Sequence, residues 1–224
     1  MGQGPAVVLV SGGMDSSVLV HFVVMTLGAV PVCAVAFGYG QRHRRELECA
    51  RWQSIAAGAA AHRTVDLACV TDLVAAGTSL VDGGAEVPDL DALDEAALDQ
   101  PPTYVPNRNM MLLSVAAAYA EAQGARDVYY GAQAHDEYGY WDCTADFLAR
   151  INDVLSLNRR DAVTIHAPFV EMKKEELVTL GLELGVDFAQ TWSCYRGGER
   201  PCGTCPTCVE RVKAFTSAGV EDPL

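Results

Sequence analysis

The sequence predicts an α/β fold in which helices cover both faces of a doubly wound parallel sheet. The first observation is an unbroken apolar run, Val7–Val10, of the kind found in strands that are buried on both faces. The second is the alternation of strand-like and helix-like segments that follows it, which is typical of parallel sheets. The third is size: 224 residues, 50% of them hydrophobic, suffice for one substantial core.

The first strand leads into a glycine-rich turn and a helix. Ser11, Gly12 and Gly13 turn the chain, and a helix opens at Asp15 with two more serines. Free N–H groups at a helix N-terminus, with hydroxyls beside them, favour a phosphate or pyrophosphate. The spacing is that of neither a Walker A loop nor a dinucleotide fingerprint. The alternative is a glycine-rich turn without a ligand.

Two further strands are predicted before residue 70. Val30–Phe37 is a strand that ends in the polar stretch Tyr39–His43; a helix over Glu46–Ala61 and a strand over His62–Leu67 follow. Ligands of such sheets bind beyond the carboxyl ends of the strands. The sequence therefore predicts that the serine-rich turn and Tyr39–His43 lie at one site.

Residues 75–102 form a long loop rich in glycine and proline, with seven acidic residues between Asp82 and Asp99. Such a loop is either a mobile lid over the site or a solvated insertion without a role. Regular structure is then predicted over five segments: a buried helix Met110–Gln123, a strand Val128–Gly131, a helix Asp146–Leu157, a strand Thr164–Phe169 and a helix Lys174–Leu184.

The formal net charge of −13 disfavours nucleic acid and anionic lipid as partners. The chain contains no apolar run of membrane-spanning length and does not begin with the pattern of a signal peptide. A cytoplasmic protein acting on a small molecule is the expectation.

Four of the eight cysteines cluster near the end of the chain, at Cys194, Cys202, Cys205 and Cys208. In a reducing compartment such a cluster indicates a metal site, and four thiolates suit tetrahedral zinc. An iron–sulfur cluster and a sulfur-carrying role are the alternatives. A four-cysteine zinc site is coordinatively closed, so we expect residues 191–224 to be a small structural zinc segment that follows a nucleotide-binding domain over 1–190.

The Ser-Gly-Gly-x-Asp-Ser loop resembles that of the PP-loop ATP pyrophosphatases, whose fold is of the adenine nucleotide α-hydrolase type. Together with the cysteine tail it resembles the QueC family, the nitrile-forming enzymes of queuosine biosynthesis. Further family-like pieces follow in order: Tyr39–His43, Val105–Asn109, Gly131 with Asp136, Tyr140–Cys143, Pro168 with Lys174 and Glu176, and Thr191–Cys194. The resemblance covers nearly the whole chain.

This resemblance implies that ATP activates 7-carboxy-7-deazaguanine as an acyl-adenylate and that ammonia converts it to the amide. A second ATP then activates the amide, which becomes the nitrile. ATP, Mg²⁺ and Zn²⁺ are the implied cofactors, and a homodimer is implied as well. The nucleotide-binding residues would be Val10, Ser11, Gly12, Gly13, Met14, Asp15, Ser16, Ser17, Val18 and Leu19.

Four residues are candidates for catalysis. Asp15 would cap its helix or help to hold Mg²⁺. Arg42 would contact phosphate or the substrate carboxylate, or form a surface ion pair. Arg108 would bind phosphate or carboxylate, or link the chain to a loop. Lys174 would neutralise the pyrophosphate, or lie at a solvated surface.

Substrate binding is assigned to seven residues: Tyr39, His43, Asn109, Gly131, Asp136, Tyr140 and Asp142. Asp136 and Asp142 would accept hydrogen bonds from the guanine-like edge. The family usually has Tyr-Pro-Asp-Cys-Arg where this chain has Trp141 and Thr144, and often Gly or Ala where it has Asn107. The alternatives are a sulfurtransferase, a nucleotide-binding module without turnover, and a ligase on a different carboxylate or one that stops at the amide.

Overall fold

Five parallel strands form the centre of the computed structural model, which describes residues 4–42, 45–93, 100–133 and 140–224. Their order in the sheet is β3-β2-β1-β4-β5. The strands are β1 Ala6–Leu9, β2 Val32–Gly38, β3 Ala61–Asp66, β4 Asp127–Tyr129 and β5 Thr164–His166. The chain adds β2 and β3 on one side of the central β1 and then β4 and β5 on the other, so the strand order reverses at β1, as the doubly wound prediction requires.

Helices cover both faces of the sheet, which confirms the predicted fold class. They are α1 Met14–Met25, α2 Arg45–Ala56, α3 Thr71–Val74, α4 Arg108–Ala122, α5 Ala145–Leu155, α6 Lys174–Glu183 and α7 Pro206–Ser217. One buried cluster packs α1, α2, α6 and α7 against the sheet, with Val18, Leu177 and Phe215 among its members. The opposite cluster packs α4 and α5 and includes Leu113 and Ile165.

The sequence prediction was wrong in several places. The helix predicted over Glu46–Ala61 ends at Ala56, and Ala61 begins β3. The last strand ends at His166 and not at Phe169, because Pro168 has no N–H to continue the ladder. The helix from Arg108 is half-exposed instead of buried all round, with 43% of Met110 accessible. Helix α7 was not predicted, although Pro206 at its first turn is a known start signal.

The described part of the long loop is docked on the protein. The Leu90 N–H donates to the carbonyl of Thr204 at 3.0 Å, and Arg196 donates to the carbonyl of Val87 at 3.0 Å and to Asp89 at 2.7 Å. Leu80 and Val87 belong to a buried cluster with the cysteines. Residues 80–93 therefore form a strap held against residues 191–224, the cysteine segment, instead of a solvated insertion. Whether the strap acts as a lid stays a prediction.

Within the described residues, no helix combines the length and apolar character that crossing a membrane requires.

Candidate active site

A cavity of about 260 Å³ opens beyond the carboxyl ends of β1, β2 and β4. Residues from nearly the whole length of the chain contribute to its wall, from Leu9 to Arg211. One part of the wall is the serine-rich loop, and another is apolar, with Leu9, Val35, Phe37 and Leu112. The cavity therefore joins the serine-rich loop to an apolar region, which we call the apolar slot.

Hydroxyl groups and backbone groups shape the serine-rich loop. The Ser16 hydroxyl accepts from the Ser11 N–H at 3.1 Å and donates to the Gly13 carbonyl at 3.2 Å. The Ser17 hydroxyl donates to the same carbonyl at 2.8 Å. These bonds hold the turn in one conformation at the N-terminus of α1, where the helix dipole favours negative charge.

Gly12 holds the loop against the elements behind it. Its φ of +88° is one that glycine adopts readily. A Cβ at this position would lie 2.0 Å from the carbonyl oxygen of Glu46 and 2.7 Å from the nitrogen of Ala50, both in α2. The Gly12 carbonyl accepts from the N–H of Trp192 at 2.9 Å. The cysteine segment is thus tied directly to the serine-rich loop.

Six of the ten predicted nucleotide-binding residues line the cavity: Val10, Ser11, Gly13, Met14, Asp15 and Ser16. Gly12 and Ser17 shape the loop from behind. Val18 and Leu19 are fully buried in the core and lie outside the cavity wall, and Val18 lies against Gly181 of α6.

Arg108 and Asn109 enter the cavity from the first turn of α4. Arg108 donates through Nε to Oδ1 of Asn109 at 3.3 Å. Burial acts to lower the pKa of Arg108, but Tyr39, Cys143, Tyr195 and Asp142 raise it, and the net pKa lies above the usual value. The guanidinium therefore stays cationic and presents donors to an anionic or carbonyl group.

The structure places Asp142 behind the cavity wall, against the prediction that it contacts a ring edge. The residue is 2% exposed, and its Oδ2 accepts from the backbone N–H of Asn109 at 3.3 Å. Burial raises the pKa of Asp142 above its usual value, although Arg108 and the Asn109 N–H act to lower it. Asp142 thus supports the N-terminus of α4, where a carboxylate is favoured, and positions Arg108 and Asn109.

Arg42 also lies outside the cavity wall. Its Nη2 donates to the carbonyls of Gly84 and Ala85, both at 2.8 Å. The side chain therefore fastens the strap, and the geometry gives no support to the predicted contact with phosphate. Tyr39, Gly131 and Tyr140, by contrast, line the cavity. Their contact with a substrate stays a prediction. His43 and Asp136 lie outside the described residues.

Lys174 lies at the start of α6 and faces the cavity. Its Nζ is 2.7 Å from Oε2 of Glu210 in α7, and the two side chains are 22% and 10% exposed. Lys174 is therefore half-buried and paired, which differs from a solvated surface lysine. A half-buried cation at the edge of an anion-binding loop can contact a phosphate oxygen.

The four clustered cysteines come together as the spacing predicted. Their sulfur atoms all lie within 4.8 Å of one another, and three of the four residues are buried. Hydrogen bonds from Cys205 and Cys208 lower the pKa of Cys194 to about 3, while donation to Cys194 and Cys205 raises the pKa of Cys208. Four soft donors at this spacing fit a tetrahedral metal ion such as zinc.

Comparison with known proteins shows the family to which the chain belongs. Residues 5–219 match the family model described as "Queuosine biosynthesis protein QueC". The chain belongs to the QueC family. The 7-cyano-7-deazaguanine synthase of Archaeoglobus fulgidus is 44% identical over 220 residues, which cover 98% of this chain and 89% of that protein. The synthase of Caldicellulosiruptor bescii is 41% identical over 219 residues, covering 98% and 96%.

A solved structure of NMN synthetase from Francisella tularensis shares the fold. The TM-score is 0.53 at 15% sequence identity, and the match covers 96% of this chain and 77% of that one. At this identity the likeness concerns the fold alone.

The three departures from the QueC pattern have structural explanations in this chain. The indole Nε1–H of Trp141 donates to the Tyr104 hydroxyl at 2.9 Å. Thr144 is the N-cap of α5 and accepts from the Phe147 N–H at 3.2 Å. Asn107 has a φ of 52°, in a region where asparagine is tolerated. Trp141, Thr144 and Asn107 stay outside the cavity wall.

Several residues of the cavity wall were not predicted from the sequence. The group comprises Gln41, Glu46, Tyr130, Gln133, Cys143, Trp192, Ser193, Tyr195, Thr207, Glu210 and Arg211. Glu210 follows Cys208 by two residues in α7, so recognising that helix would have pointed to it. Tyr130 and Gln133 flank Gly131 beyond β4, and the rule that ligands bind at strand ends could have found them.

Proposed function

We propose that this chain is a 7-cyano-7-deazaguanine synthase, which uses ATP and ammonia to convert 7-carboxy-7-deazaguanine to the nitrile. The observation that carries the proposal is the cavity itself, which joins an anion-binding loop to an apolar slot beside the cationic Arg108. Membership of the QueC family over residues 5–219 supports the same substrate.

The chemistry requires positioning and charge stabilisation more than covalent participation of the protein. The carboxylate oxygen attacks the α-phosphorus of ATP, pyrophosphate leaves, and ammonia displaces AMP to give the amide. Repeating the activation on the amide oxygen, with loss of AMP and protons, leaves the nitrile. In this scheme the N–H groups and hydroxyls of Ser11–Ser16 hold the pyrophosphate, and Lys174 neutralises part of its charge.

The remaining assignments follow from the position of each side chain. Asp15 lines the loop and would help to hold Mg²⁺, which would neutralise phosphate charge. Arg108 would hold the carboxylate or an α-phosphate oxygen. Asn109, Tyr39 and Tyr140 would contact the ring. Gly131 would allow a ligand and the serine-rich loop to lie close to its backbone, since a Cβ there would lie 3.3 Å from the backbone nitrogen of Ser16.

Zinc in the cysteine cluster would have a structural role in this proposal. It would fix the start of α7, which presents Thr207, Glu210 and Arg211 to the cavity. Residues 191–224 would then form the zinc segment that completes a nucleotide-binding domain of residues 1–190. The homodimer, the cytoplasmic location and the absence of a nucleic-acid partner remain predictions, and light scattering of the purified chain tests the first.

The decisive experiment is an end-point assay by mass spectrometry. Purified protein is incubated with ATP, Mg²⁺, ammonium and 7-carboxy-7-deazaguanine, and AMP and the product mass are followed. We expect the nitrile, with two AMP formed per product. Amide with one AMP would show a ligase that lacks the second activation. No AMP with this acid would refute the proposed substrate, and sulfide incorporated into product would favour a sulfurtransferase.

A second prediction concerns Lys174. The variant Lys174→Met/Glu210→Gln removes both charges of the buried pair, so that no carboxylate is left without its partner. We expect the KM for ATP to rise roughly tenfold, which is the loss of one charge-assisted contact worth about 1.4 kcal/mol. Steady-state pyrophosphate release measures it.

The matched control is Lys173→Met, because Lys173 is adjacent and exposed. It should leave the KM for ATP unchanged. Equal effects of the double variant and this control would contradict a direct contact between Lys174 and the nucleotide.

A further inference from the structure

Tyr130 carries a buried hydroxyl group that the fold does not use. The residue is 5% exposed, and its oxygen has no hydrogen-bond partner among the residues that the structure describes. Buried polar groups are nearly always hydrogen-bonded, and leaving one unpaired destabilises the folded chain. Such an atom is a candidate for a hydrogen bond to a bound ligand.

The position of Tyr130 directs this hydroxyl to the cavity. The residue follows β4 directly, and its N–H donates to the carbonyl of His166 at 3.0 Å, which fixes the backbone. The ring belongs to the buried cluster under α4 and α5, and the side chain lines the cavity. Packing thus holds the ring at the cavity wall, and the hydroxyl is buried there without a partner among the described residues.

The surroundings decide what the ligand atom must be. Burial raises the pKa of Tyr130, and Cys143 and Asp142 raise it further, so the phenol keeps its proton at neutral pH. Arg108, in the same cavity, can only donate. The walls nearby are the apolar side chains of Leu9, Val35, Phe37 and Leu112. A flat heterocycle that carries a hydrogen-bond acceptor satisfies all of these features.

We propose that Tyr130 is a ligand-positioning residue, whose hydroxyl donates a hydrogen bond to an acceptor atom of a purine-type ring bound in the apolar slot. The inference rests on the proposed function for the choice of ring. Adenine of ATP and the deazaguanine acid both offer such an acceptor on a purine-type ring. They are distinguished by whether removal of the hydroxyl weakens the binding of ATP or of the acid.

The test is Tyr130→Phe, which removes the hydroxyl and keeps the ring. Because the hydroxyl is unpaired in the ligand-free protein, we expect the melting temperature to stay the same or to rise. The KM and the calorimetric Kd of one ligand should rise about tenfold, the usual effect of one lost contact, with kcat nearly unchanged. A change confined to ATP places adenine in the slot, and one confined to the acid places the deazaguanine ring there.

Tyr129→Phe is the matched control, since Tyr129 belongs to the cluster on the opposite face of the sheet. It should leave both affinities unchanged. Tyr130→Phe with both affinities within twofold of wild type would overturn the proposal. A lowered melting temperature with unchanged affinities would also overturn it, because the hydroxyl would then serve the fold.

Calorimetry keeps the two proposals separate. If the wild-type protein binds ATP but does not convert the acid, the proposed function fails. Weakened ATP binding by Tyr130→Phe would still support the role of Tyr130, whereas unchanged ATP binding in that case would refute it.

Discussion

Cys205→Ser is expected to lose bound zinc and nearly all activity. Cys205 is fully buried and is the N-cap residue of α7. A serine hydroxyl is a poor replacement for a thiolate ligand of zinc, and structural zinc sites contribute directly to the free energy of folding. Losing several kcal/mol in a chain of this size should lower the melting temperature by about 10 °C or more.

The loss of activity should exceed the loss that partial unfolding alone would cause, because α7 carries residues of the cavity wall. Arg211 donates to the hydroxyl of Thr191 at 2.7 Å and to the carbonyl of Phe188 at 3.1 Å, joining the helix to the segment that precedes the cysteines. Displacing α7 therefore disturbs the wall on two sides. A displacement of about 1 Å can cost on the order of 100-fold in rate.

Cys69→Ser is the control for this experiment. Cys69 is exposed and outside the cluster, so zinc content, melting temperature and AMP formation should match wild type. Zinc is measured by elemental analysis of the purified protein, and unfolding by calorimetry. A Cys205→Ser protein with full zinc content and unchanged melting temperature would refute the four-cysteine site.

Gly12→Ala is expected to reduce activity by about 100-fold or more, because it moves the serine-rich loop. The added Cβ would lie 2.0 Å from the backbone oxygen of Glu46, far inside van der Waals contact. Backbone atoms of a helix cannot rotate away as a flexible side chain can. Either the loop or α2 must shift, and both line or support the cavity.

Gly28→Ala separates this clash from backbone strain. Gly28 also has a positive φ, +66°, but a Cβ there would meet nothing within 4 Å. We expect a loss of about 1 kcal/mol in stability from the strained conformation and no change in activity. Pyrophosphate release and thermal unfolding of both variants give the comparison. Equal activity of the two variants would contradict a loop positioned by α2.

Local patterns predicted most of the fold, whereas the direction of individual side chains could not be predicted. The apolar run before Ser11 predicted β1 and the cysteine spacing predicted a four-cysteine cluster, and the structure confirms both elements. Arg42 and Asp142 were correctly placed near strand ends and loops. Their side chains nevertheless turn to the strap and to α4, because distant residues, Gly84 and Asn109, provide better partners.

Long-range pairing also explains which cavity residues escaped prediction. Glu210 reaches the cavity only because α7 packs against α6, and Tyr130 is notable only because no described residue bonds to its hydroxyl. Neither the packing of α7 nor the missing partner of Tyr130 can be read from a short stretch of sequence. Element type therefore follows from periodicity, and membership of the site follows from tertiary contacts.

The packing of Gly12 between α2 and Trp192 has a thermodynamic consequence. The serine-rich loop has its shape fixed by the protein, so nucleotide binding need not order it. We expect only a small conformational-entropy penalty when ATP binds, and slow hydrogen exchange at the loop amides even without nucleotide. Affinity for ATP would then come from the contacts themselves, and in the proposed scheme the enzyme could release AMP and rebind ATP between the two activations without refolding the loop.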